Sequence, residues 1–242
     1  MMRAHASNRR RSGSLSAIYA RRNARSQISV ETRSRRIGWF ALLIAGSGAA
    51  LVAIRMTRAF DIYCDWSNSC LGLLAAALPA YVAMLGMTLP GLLIASSLSD
   101  SAASPYLKAS ALSCGILAFS AYLLMTASAY DALWANYGSS AGLDAPRLTP
   151  FLPSVVLATT SVLWPLFFGA TIVLTSLVFD AVRLPRAVLA LGLAAGLTLM
   201  ASETLALDVV TSLYVGFGLV TLWAAAVATQ LLPARRRSLS AT

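Results

Sequence analysis

A polytopic all-α membrane bundle, with about six transmembrane helices and both chain ends in the cytoplasm, is the fold this sequence predicts. Three observations carry the prediction. Hydrophobic residues make up 58% of the 242 positions and charged residues only 12%, about half the roughly 25% found in soluble domains. That leaves too little charge to coat a water-facing surface. Six stretches are long and apolar enough to approach the about 20 residues that cross about 30 Å of hydrocarbon. Finally, the 19 basic residues gather in the tails and in alternate loops.

Residues 1–36 form a basic arm with ten arginines (Arg3, Arg9, Arg10, Arg11, Arg21, Arg22, Arg25, Arg33, Arg35, Arg36) and one acid, Glu31. Its apolar residues are too scattered to bury a core, so the arm is expected to be disordered or to skim the membrane. An Arg-rich, Ser-rich, acid-poor start also fits an organellar transit peptide. A secretory signal is excluded, because the apolar stretch that follows is too long and lacks a small-residue cleavage site.

The transmembrane domain follows over 37–232, and a basic tail closes the chain at 233–242. The expected spans are Ile37–Ile54, Leu71–Ser97, Ala109–Tyr130, Phe151–Phe179, Pro185–Ser202 and Leu205–Leu232. Lipid offers the backbone no hydrogen-bond partner, so each span must be helical despite its valines and threonines. Pro79 and Pro90 in the second span, and Pro165 in the fourth, predict kinks. The fifth span is the shortest. Placing the N-terminus inside puts sixteen basic residues on the cytoplasmic side, including Lys108, Arg183, Arg186, Arg235, Arg236 and Arg237. Only Arg55, Arg58 and Arg147 then lie outside. This asymmetry is the positive-inside pattern, and it assigns the chain to the inner membrane of a bacterium, or alternatively to an organellar inner membrane.

A net charge of +10 and a pI near 10.3 raise the question of nucleic acid, but no folded basic module accompanies the charge. Anionic lipid headgroups are the expected partner of the arm. In the first external loop, Cys64 and Cys70 are a candidate disulfide, six positions apart. They lack the Cys-x-x-Cys spacing of a redox centre, so a thiol-based sensor is the less favoured reading. Asp61 and Asp65 beside them, with Arg55 and Arg58, read as a solvated loop; a hard-cation site gathers more oxygens.

No Asp, Glu, Lys, Arg or His falls near the middle of any span, and the single histidine is His5. Intramembrane ionisable groups mark proton relays and voltage sensors, so neither is expected. Bis-histidine haem and helix-borne di-iron sites lack ligands, and zinc-protease, nucleophile-turn and nucleotide motifs are absent. No cofactor and no enzymatic activity are expected.

What remains is polar and uncharged. Thr159, Thr160 and Ser161 precede Trp164-Pro165 in the fourth span, and Thr88 precedes Pro90 in the second. Two interrupted helices are the pattern of a midplane binding site, here lined by Tyr81, Thr88, Thr159, Thr160 and Ser161; ordinary kinked helices look the same. Small residues at four-residue spacing, Ala41, Ala45 and Ala49 in the first span and Gly192 and Gly196 in the fifth, suit close helix packing. The leading expectation is a non-enzymatic accessory, regulatory or assembly subunit with a protein partner in the membrane. The alternative is a permease component for a neutral or lipophilic solute.

Overall fold

A computed structural model describes residues 31–54, 70–98, 103–140, 151–180, 184–204 and 209–232. Among these residues every regular element is helical. The helices are α1 (Glu31–Ile54), α2 (Cys70–Ser97), α3 (Pro105–Ser140), α4 (Phe151–Asp180), α5 (Arg186–Thr204) and α6 (Val209–Leu231). All but α5 are long and apolar enough to cross a membrane, whereas the apolar part of α5 is only Arg186–Ser202. At 1.5 Å per residue that part is about 25 Å long.

Local chemistry accounts for the helix starts. Pro105 opens α3 at the first helical position, where its missing N–H costs nothing, and Lys108 N–H closes the first turn onto Ser104 O at 3.2 Å. Pro185 does the same before α5, accepting from Val188 N–H at 2.9 Å. Two helices exceed their expected lengths. Helix α1 is already formed at Glu31, inside the segment expected as a basic arm. Helix α3 runs on to Ser140, so Trp134 and Tyr137, expected in a loop, lie on its extension. No proline or glycine interrupts it between Gly115 and Gly138, and the apolar run, which gives way to Asp131 after Tyr130, is not what ends a helix.

Neighbouring helices alternate in direction. Gly38 of α1 meets Leu232 just after α6, and Gly48 meets Thr221, so α1 and α6 are antiparallel and their tail-bearing ends lie together. Contacts of Leu92 with Gly115 set α2 against α3, and contacts of Gly169 with Met200 and Gly192 with Ser176 set α4 against α5. Short α5 is thus a full antiparallel member of the bundle. At the centre is α4, which touches α2, α3 and α5 along its length and reaches α6 through aromatic rings.

With both tails leaving at one end of the bundle, the charge rule makes that end cytoplasmic. Reporters that work only in the cytoplasm, fused before Met1 or after Thr242, should both be active. Activity of an export-dependent reporter at Thr242 would overturn the orientation.

Candidate functional site

A buried interhelical hydrogen bond lies where the two proline-bearing helices meet. Pro90 cannot donate to the Gly86 carbonyl, nor Pro165 to that of Ser161, so each helix is weakened locally. Both prolines are buried. Thr88, one half-turn before Pro90, donates its hydroxyl to Met84 O at 2.7 Å. Its oxygen in turn accepts from Trp164 Nε1–H at 2.9 Å, a buried bond between residues 76 apart in sequence. The three groups form a short chain, indole to hydroxyl to carbonyl, and each bond polarises the next in a low-dielectric interior. It joins α2 to α4 beside Pro90 and Pro165.

Aromatic rings enclose this bond. Trp164 stacks on Phe168, one turn along, with centroids 5.6 Å apart and planes inclined by 5°. Phe217 of α6 packs on the indole at 5.7 Å and 48°, and Tyr214 meets Phe217 edge-on at 5.8 Å. A methyl group on Gly91 would come within 3.1 Å of Phe168 Cε2, so the ring lies directly on that glycine. Closer to the α6 terminus, Phe179 and Trp223 make a second aromatic contact at 6.3 Å. Trp164, Phe168, Phe179, Phe217 and Trp223 are all buried, and offset or tilted ring pairs add about 0.5–1.5 kcal/mol each beyond burial.

The residues expected to line a shared midplane site are held apart by their own helices. Thr160 is buried and donates to Val156 O at 2.7 Å. Ser161 is exposed and donates to Ala158 O at 2.8 Å; Thr159 is exposed beside it. Thr88 makes a polar contact with another helix through its side chain, accepting from Trp164. Tyr81 is half-buried, and it is its carbonyl that takes part in the core, accepting from Tyr122 O–H at 2.9 Å. Pro79 lies on the exposed surface of α2.

Small residues sit at the closest helix contacts. A methyl group on Gly196 would come within 2.5 Å of Gly169 O, and one on Gly169 within 2.6 Å of Gly196 O. Gly192 faces Ser176 and Trp223. In α1, Ala41 and Ala45 are buried whereas Ala49 is exposed. Ser47 lies directly against Gly86, so α1 seats on α2 at a glycine as well. Cys64 lies outside the described residues, as do Asp61, Asp65, Arg55 and Arg58; Cys70 opens α2, but its side chain is likewise outside the description.

Sequence reasoning named Trp164 only as the neighbour of Pro165 and passed over Trp223, Phe217 and Tyr122. The available signal was position. Tryptophan and tyrosine favour the membrane interface, so one deep in a span is expected to point into protein, where its N–H or O–H can find a partner.

Comparison with known proteins found no matching family model, no matching curated protein and no matching solved structure. The class therefore rests on the helices themselves: five long apolar candidate spans and one shorter apolar helix, packed into one bundle, define a multi-span membrane protein.

Proposed function

We propose that this chain is a non-enzymatic accessory or assembly subunit, working through its packed surface in a cytoplasmic membrane. The observation that carries the reading is the filled centre. Where a solute path between the two proline-bearing helices would run, Trp164 stacks with Phe168 and Phe217 and bonds to Thr88. Hydroxyls that could have guided a neutral solute donate instead to carbonyls of their own helices. Among the described residues the buried hydroxyl-bearing side chains include no ionised group, which suits a bundle that binds neither protons nor coupling ions.

In this reading the Arg-rich arm holds the cytoplasmic side against anionic headgroups, each basic residue near the surface contributing about 1 kcal/mol. The partner is another membrane protein, reached by a lipid-exposed face. A photoreactive residue placed at exposed Ala49 on α1, Val82 on α2 or Leu123 on α3 tests this in intact membranes. At least one face should yield a single discrete protein adduct, and purification in mild detergent should retain the same protein in fixed stoichiometry. A solitary, monodisperse monomer with no protein adduct from any of the three faces would overturn the reading.

A further inference from the structure

Where α4, α5 and α6 meet, polar atoms gather without protein partners. Trp223 Nε1, Ser176 Oγ and Thr175 Oγ1 are the buried side-chain polar atoms with no hydrogen bond among the described residues. Their residues are 0%, 1% and 1% exposed. Two of them converge on Gly192: a methyl group there would lie 2.5 Å from Trp223 Nε1 and directly against Ser176 Oγ. Both atoms therefore lie within about 5 Å of each other, although no hydrogen bond joins them.

The two hydroxyls depart from a habit kept elsewhere in the protein. Any helical serine or threonine can turn its hydroxyl onto the carbonyl three or four residues back. Thr88, Thr126, Thr160, Thr171, Thr198, Ser202 and Thr221 all do so. Thr175 and Ser176, one turn beyond Thr171, do not. An indole N–H is a donor only, and a buried donor without an acceptor is rare and costly.

Depth is the third consideration. Ser176 is four residues from the end of α4, Gly192 six from the start of α5 and Trp223 eight from the end of α6. At 1.5 Å per residue these atoms lie about 6–12 Å beneath one face of the bundle. By the charge rule that face is the cytoplasmic one. A small molecule from the aqueous side has a short way to go, whereas a charged one would meet no counter-charge there.

From these observations we propose that the α4–α5–α6 junction binds a single water molecule, accepting from Trp223 Nε1–H and hydrogen-bonded to Ser176 Oγ. Buried waters make about two to four hydrogen bonds to groups that would otherwise be unsatisfied, and this junction supplies a donor, Trp223 Nε1–H, and a hydroxyl, Ser176 Oγ. Glycine at 192 is what lets the indole and the hydroxyl approach the same point on α5.

The test is nuclear magnetic resonance of the full chain in lipid nanodiscs, with the tryptophan indoles labelled with nitrogen-15. Trp223→Phe assigns the Trp223 signal, and Trp164, whose N–H is bonded to Thr88, serves as the internal control. The Trp223 indole proton should show a cross-relaxation peak with a long-lived water, and Trp164 should not. Ser176→Ala should abolish or greatly weaken that peak while leaving the Trp164 signal in place, which reports that the bundle is intact. Absence of a water peak at Trp223 overturns the proposal. So does a direct contact of its indole proton with the Ser176 side chain in place of water, and so does a water peak that Ser176→Ala leaves unchanged.

Discussion

Gly196→Ala is expected to destabilise the bundle, although alanine is the better helix former. On propensity alone the exchange would gain up to about 1 kcal/mol. Its methyl group, however, would come within 2.5 Å of Gly169 O, 2.6 Å of Val173 Cγ2 and 3.0 Å of Val173 N. Two of those three atoms belong to backbone and cannot rotate away, so α5 must move off α4. Overpacking of this kind costs about 1–3 kcal/mol, and here the larger figure is expected. Gly46→Ala is the matched control, since a methyl group there meets nothing within 4 Å. Titrating the purified protein with a denaturing detergent should lower the unfolding midpoint for Gly196→Ala and leave it unchanged or raised for Gly46→Ala. Equal midpoints would show that the α4–α5 contact is looser than described.

Trp164→Ala should have the largest effect of any substitution in the core. It removes a fully buried ring that contacts Phe168 and Phe217 and withdraws the donor to Thr88. Large-to-small changes at buried tryptophans cost about 3–5 kcal/mol in soluble proteins. Part of that figure is transfer from water, which lipid does not supply, so the lower end applies. Trp164→Phe separates the contributions. It keeps a stacked ring, loses the hydrogen bond and gives up part of the buried ring volume, and bonds of this type between membrane helices average about 0.6 kcal/mol. A double-mutant cycle with Thr88→Val reads the bond directly, because the two residues touch through it. Coupling indistinguishable from zero would mean that this bond does not join α2 to α4.

These two sites also show what was legible beforehand. The segments that became helices were visible because lipid forbids alternatives: an apolar run that cannot bond to water must bond to itself. The prolines were visible for the same reason, as missing donors. Which way a hydroxyl turns was not visible. Thr88 and Ser161 look equivalent in sequence, yet Thr88 accepts from Trp164 of another helix while Ser161 turns onto the Ala158 carbonyl of its own. Helix ends were read least well. The apolar run ends where Asp131 follows Tyr130, while α3 continues to Ser140. Gly192 and Gly196 were noticed for their spacing alone; that one faces polar atoms and the other a carbonyl depends on the side chains of α4 and α6.

The shortness of α5 has a consequence for the lipid around it. Its apolar part, about 25 Å long, is some 5 Å less than an average hydrocarbon layer, and Ala190, Ala194 and Leu197 are exposed along it. Acyl chains beside that face must shorten or splay to meet it, drawing the two leaflets together on one flank of the protein only. Such a dimple costs a fraction of a kcal/mol per ångström and is relieved where the bilayer is thin or where a second thin-sided protein shares it. The bundle thus carries its own preference for company and for membrane thickness, set by the length of a single helix.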